Sequence, residues 1–292
     1  MPFFILILLS CISLDAFAQE DFQTITTEHY ELLIPQQQEK LLILFPCFPC
    51  DAAHTKTEFE IHNQALDAHT AVVSFNFNRH LWMPEADKIT LKEQLEAIIK
   101  KHQLKSDQTY LGGFSSGGNV ALLMSDYLIA EQAPLAIQGV FIVDSPIDLL
   151  GLHKSSKQIA KNTDSQEANF LVRYFEAAFG KGEPNMTMYE AASPYTSKTN
   201  HIDNLSNLKG IKIRLYTEPD EAWWLENRNT KQENTNAHYI KLLADDLTKA
   251  FGKEKVELIT TKNKGYRKNG QRHPHSWSIV DKKDLLAWMN KK

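Results

Sequence analysis

The chain has 292 residues, of which 42% are hydrophobic and 23% charged, and its formal net charge is −4. This composition is typical of a globular protein with enough apolar residues for a sizeable core. The small negative charge and the lack of a basic block in the sequence argue against nucleic acid as a partner.

The N-terminal segment has the pattern of a secretory signal peptide. Residues 2–14 are apolar, and Ala16-Phe17-Ala18 supplies small residues where a signal peptidase cleaves, although no Lys or Arg precedes the apolar core. We therefore expect a signal peptide over residues 1–18 and export to the periplasm or the medium. The apolar run is shorter than the roughly 18 residues of a membrane span, so no stable span is predicted. A lipoprotein signal acylated at Cys11 is a less favoured alternative.

The remaining residues, 19–292, alternate between strand and helix patterns. Alternating polarity over 24–35 predicts an edge strand. Mostly apolar runs predict further strands at 41–45, 70–75, 109–114, 139–143 and 256–259, and strand-like alternation predicts one at 211–216. Helical spacing of apolar residues predicts helices at 89–101, 119–130, 168–179, 236–250 and 281–290. This alternation predicts an α/β fold with a doubly wound, mostly parallel sheet.

Residues 151–206 interrupt this alternation. They are polar and rich in Lys, Ser and Asn, with one amphipathic helix pattern near 168–179. We expect an inserted helical cap within a single domain over residues 19–292.

Two cysteines, Cys47 and Cys50, follow the 41–45 strand as Cys-Phe-Pro-Cys. In an exported protein a disulfide would close a clip on this loop, but the spacing alone leaves the pairing open. A redox-active pair is less favoured, because a helix should open after the first cysteine and this sequence starts one poorly. A zinc site needs further ligands, and the sequence has no second cysteine pair.

The 109–114 strand leads into Gly113-x-Ser115-x-Gly117, which is followed by a helix pattern. This strand–turn–helix context is that of a nucleophile elbow, which presents a strained serine at a sharp turn. Only very small residues fit two positions before and two after the serine. Ser115 is therefore the candidate nucleophile, since a motif centred on Ser116 would put Phe114 at a flank.

A serine hydroxyl needs a base, usually a histidine that a carboxylate orients. Functional groups of open α/β sheets lie past the carboxyl ends of strands. Glu218 and Asp220 follow the 211–216 strand, and His273 and His275 precede the last helix. The order Ser115, Asp220, His275 fits an elbow hydrolase. A metal pair at His273 and His275 would lack a third ligand nearby in sequence, so no metal is predicted.

These motifs resemble the α/β-hydrolase family of serine hydrolases, particularly its exported esterases. The resemblance favours Asp220 over Glu218 as the acid, because the family's acid follows the strand after the inserted cap. It favours His275 over His273 as the base, because His275-Ser276-Trp277 matches the family's histidine loop.

An oxyanion hole needs two backbone N–H groups, one from the residue after the nucleophile and one from the loop after the 41–45 strand. The first is Ser116. The second is Phe48, with Cys47 as the other candidate, since Pro46 and Pro49 lack an N–H. The sequence departs from the family here, because Pro-Cys-Phe-Pro stands where a His-Gly pair is usual.

The sequence thus predicts a Ser-His-Asp esterase that forms an acyl-enzyme on a small-molecule ester or short peptide, without a cofactor. A peptidase or amidase on the same fold is one alternative. A catalytically inactive secreted binding protein is another, which the missing His-Gly pair motivates.

Overall fold

The computed structural model describes residues 22–77 and 81–291, which form eight strands and ten helices. The strands are β1 Phe22–Thr26, β2 Tyr30–Pro35, β3 Lys40–Phe45, β4 Thr70–Phe75, β5 Thr109–Phe114, β6 Ile137–Val143, β7 Lys212–Thr217 and β8 Val256–Thr260. The helices are α1 Ala52–Phe59, α2 His62–Asp67, α3 Glu85–His102, α4 Ser116–Ala130, α5 Leu149–Asn162, α6 Gln166–Phe179, α7 Met186–Ala192, α8 Glu221–Arg228, α9 Asn236–Phe251 and α10 Lys282–Asn290. Of these helices, none has both the length and the apolarity that crossing a bilayer requires. The predicted signal peptide and Cys11 lie outside the described residues.

The eight strands form one sheet in the order β1-β2-β4-β3-β5-β6-β7-β8. β1 and β2 are antiparallel to their neighbours, and every pairing from β4 to β8 is parallel. Parallel strands require crossover connections, and the helices between them supply these connections. The predicted doubly wound, mostly parallel sheet is confirmed.

Apolar side chains are buried on both faces of this sheet. In β3, Leu41, Ile43 and Phe45 point into a core that α3, α4 and α9 cover. Leu42 and Leu44 point to the other face, where side chains of α1, α2 and α10 cover them. A strand covered on both faces has a continuous apolar run instead of an alternating one, which is why residues 41–45 are all apolar.

The predicted edge strand at 24–35 is two strands in the structure. β1 and β2 pair as a hairpin, with Thr26 opposite Glu31. The hydroxyl of Thr27 accepts hydrogen bonds from the N–H groups of His29 and Tyr30, and so closes the turn. Such a threonine turn needs no glycine or proline, so the sequence pattern did not reveal it.

The segment between β6 and β7, predicted as an insertion at 151–206, contains α5, α6 and α7. The predicted helix near 168–179 is present as α6. Its N-cap is Ser165, whose hydroxyl accepts from the N–H of Ala168 at 3.2 Å. α5 packs against α6.

We expect Gly112→Ala to lower the free energy of unfolding. A Cβ atom on Gly112 would lie 2.1 Å from the ring of the buried Phe141 in β6, and overpacking of this kind costs about 1–3 kcal/mol. Gly210→Ala is the control, because its Cβ would meet nothing within 4 Å. Urea unfolding of both variants tests this expectation, and equal stability losses would contradict it.

Candidate active site

Ser115 lies at the turn between β5 and α4, with a positive φ of 55° and ψ of −129°. A Cβ on Gly113 would lie 2.0 Å from the carbonyl oxygen of Gly117, and one on Gly117 would lie 2.3 Å from the carbonyl oxygen of Phe45. Both flanking positions therefore require glycine. The structure has the strained strand–turn–helix geometry that the motif predicts.

His275 lies in the loop before α10 and is held by a carboxylate. Its Nδ1 is 2.7 Å from Oδ2 of Asp144, which directly follows β6. A carboxylate only accepts, so the imidazole donates from Nδ1 and keeps the lone pair of Nε2 for a hydroxyl. The side chain of Asp144 is 3% exposed, and its other oxygen accepts from the hydroxyl of Thr217 at 2.7 Å.

Two contacts place Ser115 beside this pair. The N–H of Ser115 donates to the carbonyl oxygen of Val143 at 2.9 Å, and Val143 directly precedes Asp144. The ring of Phe114, next to Ser115 in the chain, lies 4.4 Å from the ring of His275. Ser115, His275 and the buried Asp144 thus lie near one another at one edge of the sheet.

The prediction that Asp220 orients His275 is wrong for this structure. Asp220 caps α8, where its carboxylate accepts from the N–H of Trp223 at 3.2 Å, and its other oxygen is 2.6 Å from Arg272. The alternative acid, Glu218, is also occupied elsewhere. It is 1% exposed and forms an ion pair with Arg272. It also accepts from the hydroxyl of Thr261 and from the N–H groups of Lys264 and Gly265.

The residue missed from the sequence is Asp144. A signal for it exists, because an aspartate directly follows the buried apolar run of β6, which is the neighbour of β5 in the sheet. The serine–acid–histidine order along the chain fits Asp144 as well as Asp220, so order alone did not separate them.

The two predicted oxyanion donors lie side by side. Ser116 is the first residue of α4, so its N–H belongs to the turn whose donors have no partner within the helix. The N–H of Phe48 donates to the hydroxyl of Ser116 at 2.8 Å. Phe48 thus lies at the elbow, but its N–H is hydrogen-bonded to the side chain of Ser116.

A disulfide joins Cys47 and Cys50 and closes the loop that carries Phe48. His54 lies close enough to make these three residues a possible ligand group, but both sulfurs are bonded to each other. The expectation that this sequence starts a helix poorly is wrong. Asp51 caps α1, and its carboxylate accepts from the N–H of His54 at 2.7 Å.

Aromatic residues of the inserted helices pack on the same loop. The rings of Phe170 and Tyr174 in α6 lie 5.9 Å and 6.1 Å from the ring of Phe48. Trp82 joins them through Tyr174, at 5.3 Å. These contacts put an aromatic wall next to the candidate oxyanion donors.

His273, the alternative base, has a different environment from His275. Its ring packs on Trp223 at 4.6 Å, and its Nε2 is 3.3 Å from a guanidinium nitrogen of Arg228. Burial, and after it the charge of Arg267, lowers the pKa of His273 to about 3. A neutral imidazole with a cation on Nε2 has no lone pair there for a serine proton.

Solved structures of hydrolases share this fold. The fluorophosphonate-binding serine hydrolase F of Staphylococcus aureus aligns with a TM-score of 0.56 and 12% identity, over 93% of this chain and 98% of its own. An S-formylglutathione hydrolase of the same organism aligns with a TM-score of 0.56 and 11% identity, over 92% of this chain and 98% of its own. An esterase of the bacterial hormone-sensitive lipase family aligns with a TM-score of 0.54 and 15% identity, over 93% of this chain and 83% of its own. No protein-family model and no curated protein matches the chain. The chain has the α/β-hydrolase fold.

The depressed pKa of His273 predicts a loss of stability in acid. Its folded pKa of about 3 lies below the ordinary value of 6.5, so the unfolded chain binds the extra proton between these values. The protonation of His273 therefore costs no stability above pH 6.5, and it lowers the free energy of unfolding progressively as the pH drops from 6.5 toward 3.

We expect His273→Gln to flatten this decline, since an amide does not titrate and its oxygen still accepts from Arg228. Urea unfolding between pH 7 and pH 4.5 measures the slope. The half-buried His62 and the buried His153 have pKa values lowered to about 4, so part of the acid-induced loss of stability remains in the variant. Identical slopes for the two proteins would refute the expectation.

Proposed function

We propose that this α/β-hydrolase-fold chain is a serine hydrolase that cleaves carboxylic esters through an acyl-enzyme. The nucleophile is Ser115, the base is His275 and the orienting acid is Asp144. The observation that carries the proposal is the 2.7 Å hydrogen bond between His275 and Asp144 beside a serine with a positive φ of 55°. The related hydrolase structures support the reaction class.

In the proposed reaction, the hydroxyl oxygen of Ser115 bonds to the ester carbonyl carbon while Nε2 of His275 takes the hydroxyl proton. The C–O bond to the alcohol then breaks, and His275 returns the proton to the departing oxygen. Water attacks the acyl-enzyme by the same two steps, which release the acid and restore Ser115. Asp144 stabilises the imidazolium that forms in each half-reaction.

The proposed oxyanion hole consists of the backbone N–H groups of Ser116 and Phe48. Because the N–H of Phe48 donates to the hydroxyl of Ser116, the carbonyl oxygen of a substrate has to replace that hydroxyl as the acceptor. The disulfide between Cys47 and Cys50 limits the movement of the loop during this exchange.

We also propose that α5, α6 and α7 form a cap that shapes the substrate site. The packing of Phe170 and Tyr174 on Phe48 supports this role.

We further propose that the protein is exported. The N-terminal sequence pattern and the Cys47–Cys50 disulfide support export, since disulfides persist mainly in oxidising compartments.

We expect Ser115→Ala to abolish hydrolysis of 4-nitrophenyl butyrate, with a loss in kcat of at least about a thousandfold. Ser116→Ala is the matched variant of the neighbouring serine. It should remain an active hydrolase, because both oxyanion donors are backbone groups and the alanine removes the competing acceptor of the Phe48 N–H.

A fluorophosphonate probe gives the second readout for this pair of variants. The wild-type protein and Ser116→Ala should be labelled, and Ser115→Ala should not. Unchanged ester hydrolysis by Ser115→Ala would overturn the proposal. Failure of the wild-type protein to be labelled would favour a binding protein over an enzyme.

We expect Asp144→Asn to lower kcat about 10³–10⁴-fold, because an asparagine stabilises the wrong tautomer of the base. Asp220→Asn should have a far smaller effect on kcat, since Asp220 pairs with Arg272 and caps α8. Steady-state kinetics with 4-nitrophenyl butyrate compares the two variants, and circular dichroism checks that both are folded. A larger loss of kcat in Asp220→Asn would return the acid role to that residue.

A further inference from the structure

Two guanidinium groups lie close to His275 without a carboxylate of their own. The first belongs to Arg267, which lies in the loop after β8 and is partly buried. Its guanidinium carbon is 5.7 Å from the centre of the Phe114 ring. The same ring touches that of His275 at 4.4 Å, so the cation of Arg267 is one ring away from the proposed base.

The second guanidinium belongs to Arg228, the last residue of α8. One of its nitrogens is 3.3 Å from Nε2 of His273, whose ring centre is 6.2 Å from that of His275. The low pKa of His273 keeps its imidazole neutral, so it accepts from the guanidinium. His273 therefore holds the guanidinium of Arg228 beside the pair of histidines.

Arg272, in the same loop as Arg267, is neutralised by two carboxylates of this chain. One of its nitrogens is 2.6 Å from Glu218 and 2.6 Å from Asp220. Within the described parts of the chain, Arg228 and Arg267 have no carboxylate oxygen within ion-pair distance. Glu58 exerts an attraction on Arg267, but one of its oxygens accepts from the N–H of Lys268 at 3.1 Å.

The charges around Arg267 favour the binding of an anion. Burial lowers the pKa of Arg267, the charge of Glu58 offsets part of this shift, and the charge of Arg228 lowers the pKa further. Arg267 is partly buried and Arg228 is exposed, and a partly buried cation beside a second cation is stabilised by an anion next to it. A guanidinium binds a carboxylate through two parallel N–H···O hydrogen bonds.

The position of the two guanidinium groups relative to His275 decides which part of the substrate carries the anion. In acyl transfer the imidazole gives its proton to the departing alcohol, so the alcohol lies on the side of the histidine. The aromatic wall of Phe48, Phe170 and Tyr174 lies instead at the loop that carries the oxyanion donors. The cations thus belong to the leaving-group side.

We propose that Arg228 and Arg267 form an anion subsite for the alcohol part of the substrate, so that the enzyme acts on carboxylic esters whose alcohol carries a carboxylate. This inference rests on the proposed ester hydrolysis at Ser115. Trp223, which packs on His273 at 4.6 Å, provides an apolar surface beside the subsite for the carbon skeleton of the alcohol.

The kinetic test uses two esters of similar size, 4-carboxyphenyl butyrate and its neutral analogue 4-carbamoylphenyl butyrate. The measured quantity is the ratio of their kcat/KM values, anionic over neutral. We expect Arg228→Gln and Arg267→Gln each to lower this ratio about tenfold or more, mainly through KM of the anionic ester, as loss of a hydrogen bond to a charged group does. Arg267→Lys should keep a larger part of the ratio than Arg267→Gln.

Lys253→Gln is the charge-matched control. Lys253 is exposed and precedes β8, so it lies at the opposite end of the strands from the site, and its removal should leave the ratio unchanged. Added salt should lower the wild-type ratio and have less effect on that of the arginine variants. If the ratio is the same in wild type, Arg228→Gln and Arg267→Gln while both esters are hydrolysed, the anion subsite is refuted and the ester hydrolase stands.

A binding measurement separates this inference from the failure of the proposed reaction. Calorimetric titration of Ser115→Ala with 4-hydroxybenzoate, the alcohol product, needs no turnover. We expect saturable binding that weakens about tenfold or more when Arg228→Gln or Arg267→Gln is added. Saturable binding without hydrolysis of either ester would refute the proposed function and keep the subsite. The absence of saturable binding, or binding that neither arginine substitution weakens, would overturn the subsite.

Discussion

The hydrogen bond between His275 and Asp144 is the interaction on which the candidate site depends. It joins the end of β6 to a loop 131 residues later in the chain, so it forms only when these two distant segments have come together. Both partners are largely buried, and a buried carboxylate that loses its partners carries a large desolvation penalty. Asp144 avoids that penalty because Thr217 donates to its second oxygen. Its backbone is also held, since its N–H donates to the carbonyl oxygen of Tyr216. The acid is thus held from β7 as well as from the histidine loop.

The parallel register of the sheet explains why the candidate nucleophile and the candidate acid lie near each other. Phe114 and Val143 are partners at the ends of β5 and β6, so the next residues, Ser115 and Asp144, leave the sheet side by side. Both have a positive φ, of 55° and 45°, which turns each chain sharply away from its strand. Two neighbouring strands therefore place a hydroxyl and a carboxylate at one edge, and the imidazole is supplied by the later loop.

The elbow could be predicted from the sequence because its requirements are local. Gly113 and Gly117 are needed by backbone contacts within a few residues of Ser115 and with the adjacent strand β3. The acid could not be chosen in this way, because Asp144 and Asp220 both follow strands that end at the same edge. Their difference lies in where Arg272 and His275 are placed in space, and no spacing along the chain encodes that placement. The hairpin of β1 and β2 could not be predicted either, because the side chain of Thr27 closes its turn without a glycine or proline.

The carboxylates that the sequence suggested as acids have a structural role that serves the same site. Glu218 and Asp220 both bind Arg272, and Glu218 also accepts from the N–H groups of Lys264 and Gly265. These bonds tie the loop after β8 to the end of β7, so they position the segment that carries His275 without touching its ring. Because Arg272 is neutralised by this pair, the positive charge that faces the histidines comes from Arg228 and Arg267. Glu218 and Asp220 therefore fix the loop, Asp144 accepts from the imidazole, and the charges of Arg228 and Arg267 remain for the proposed anion subsite.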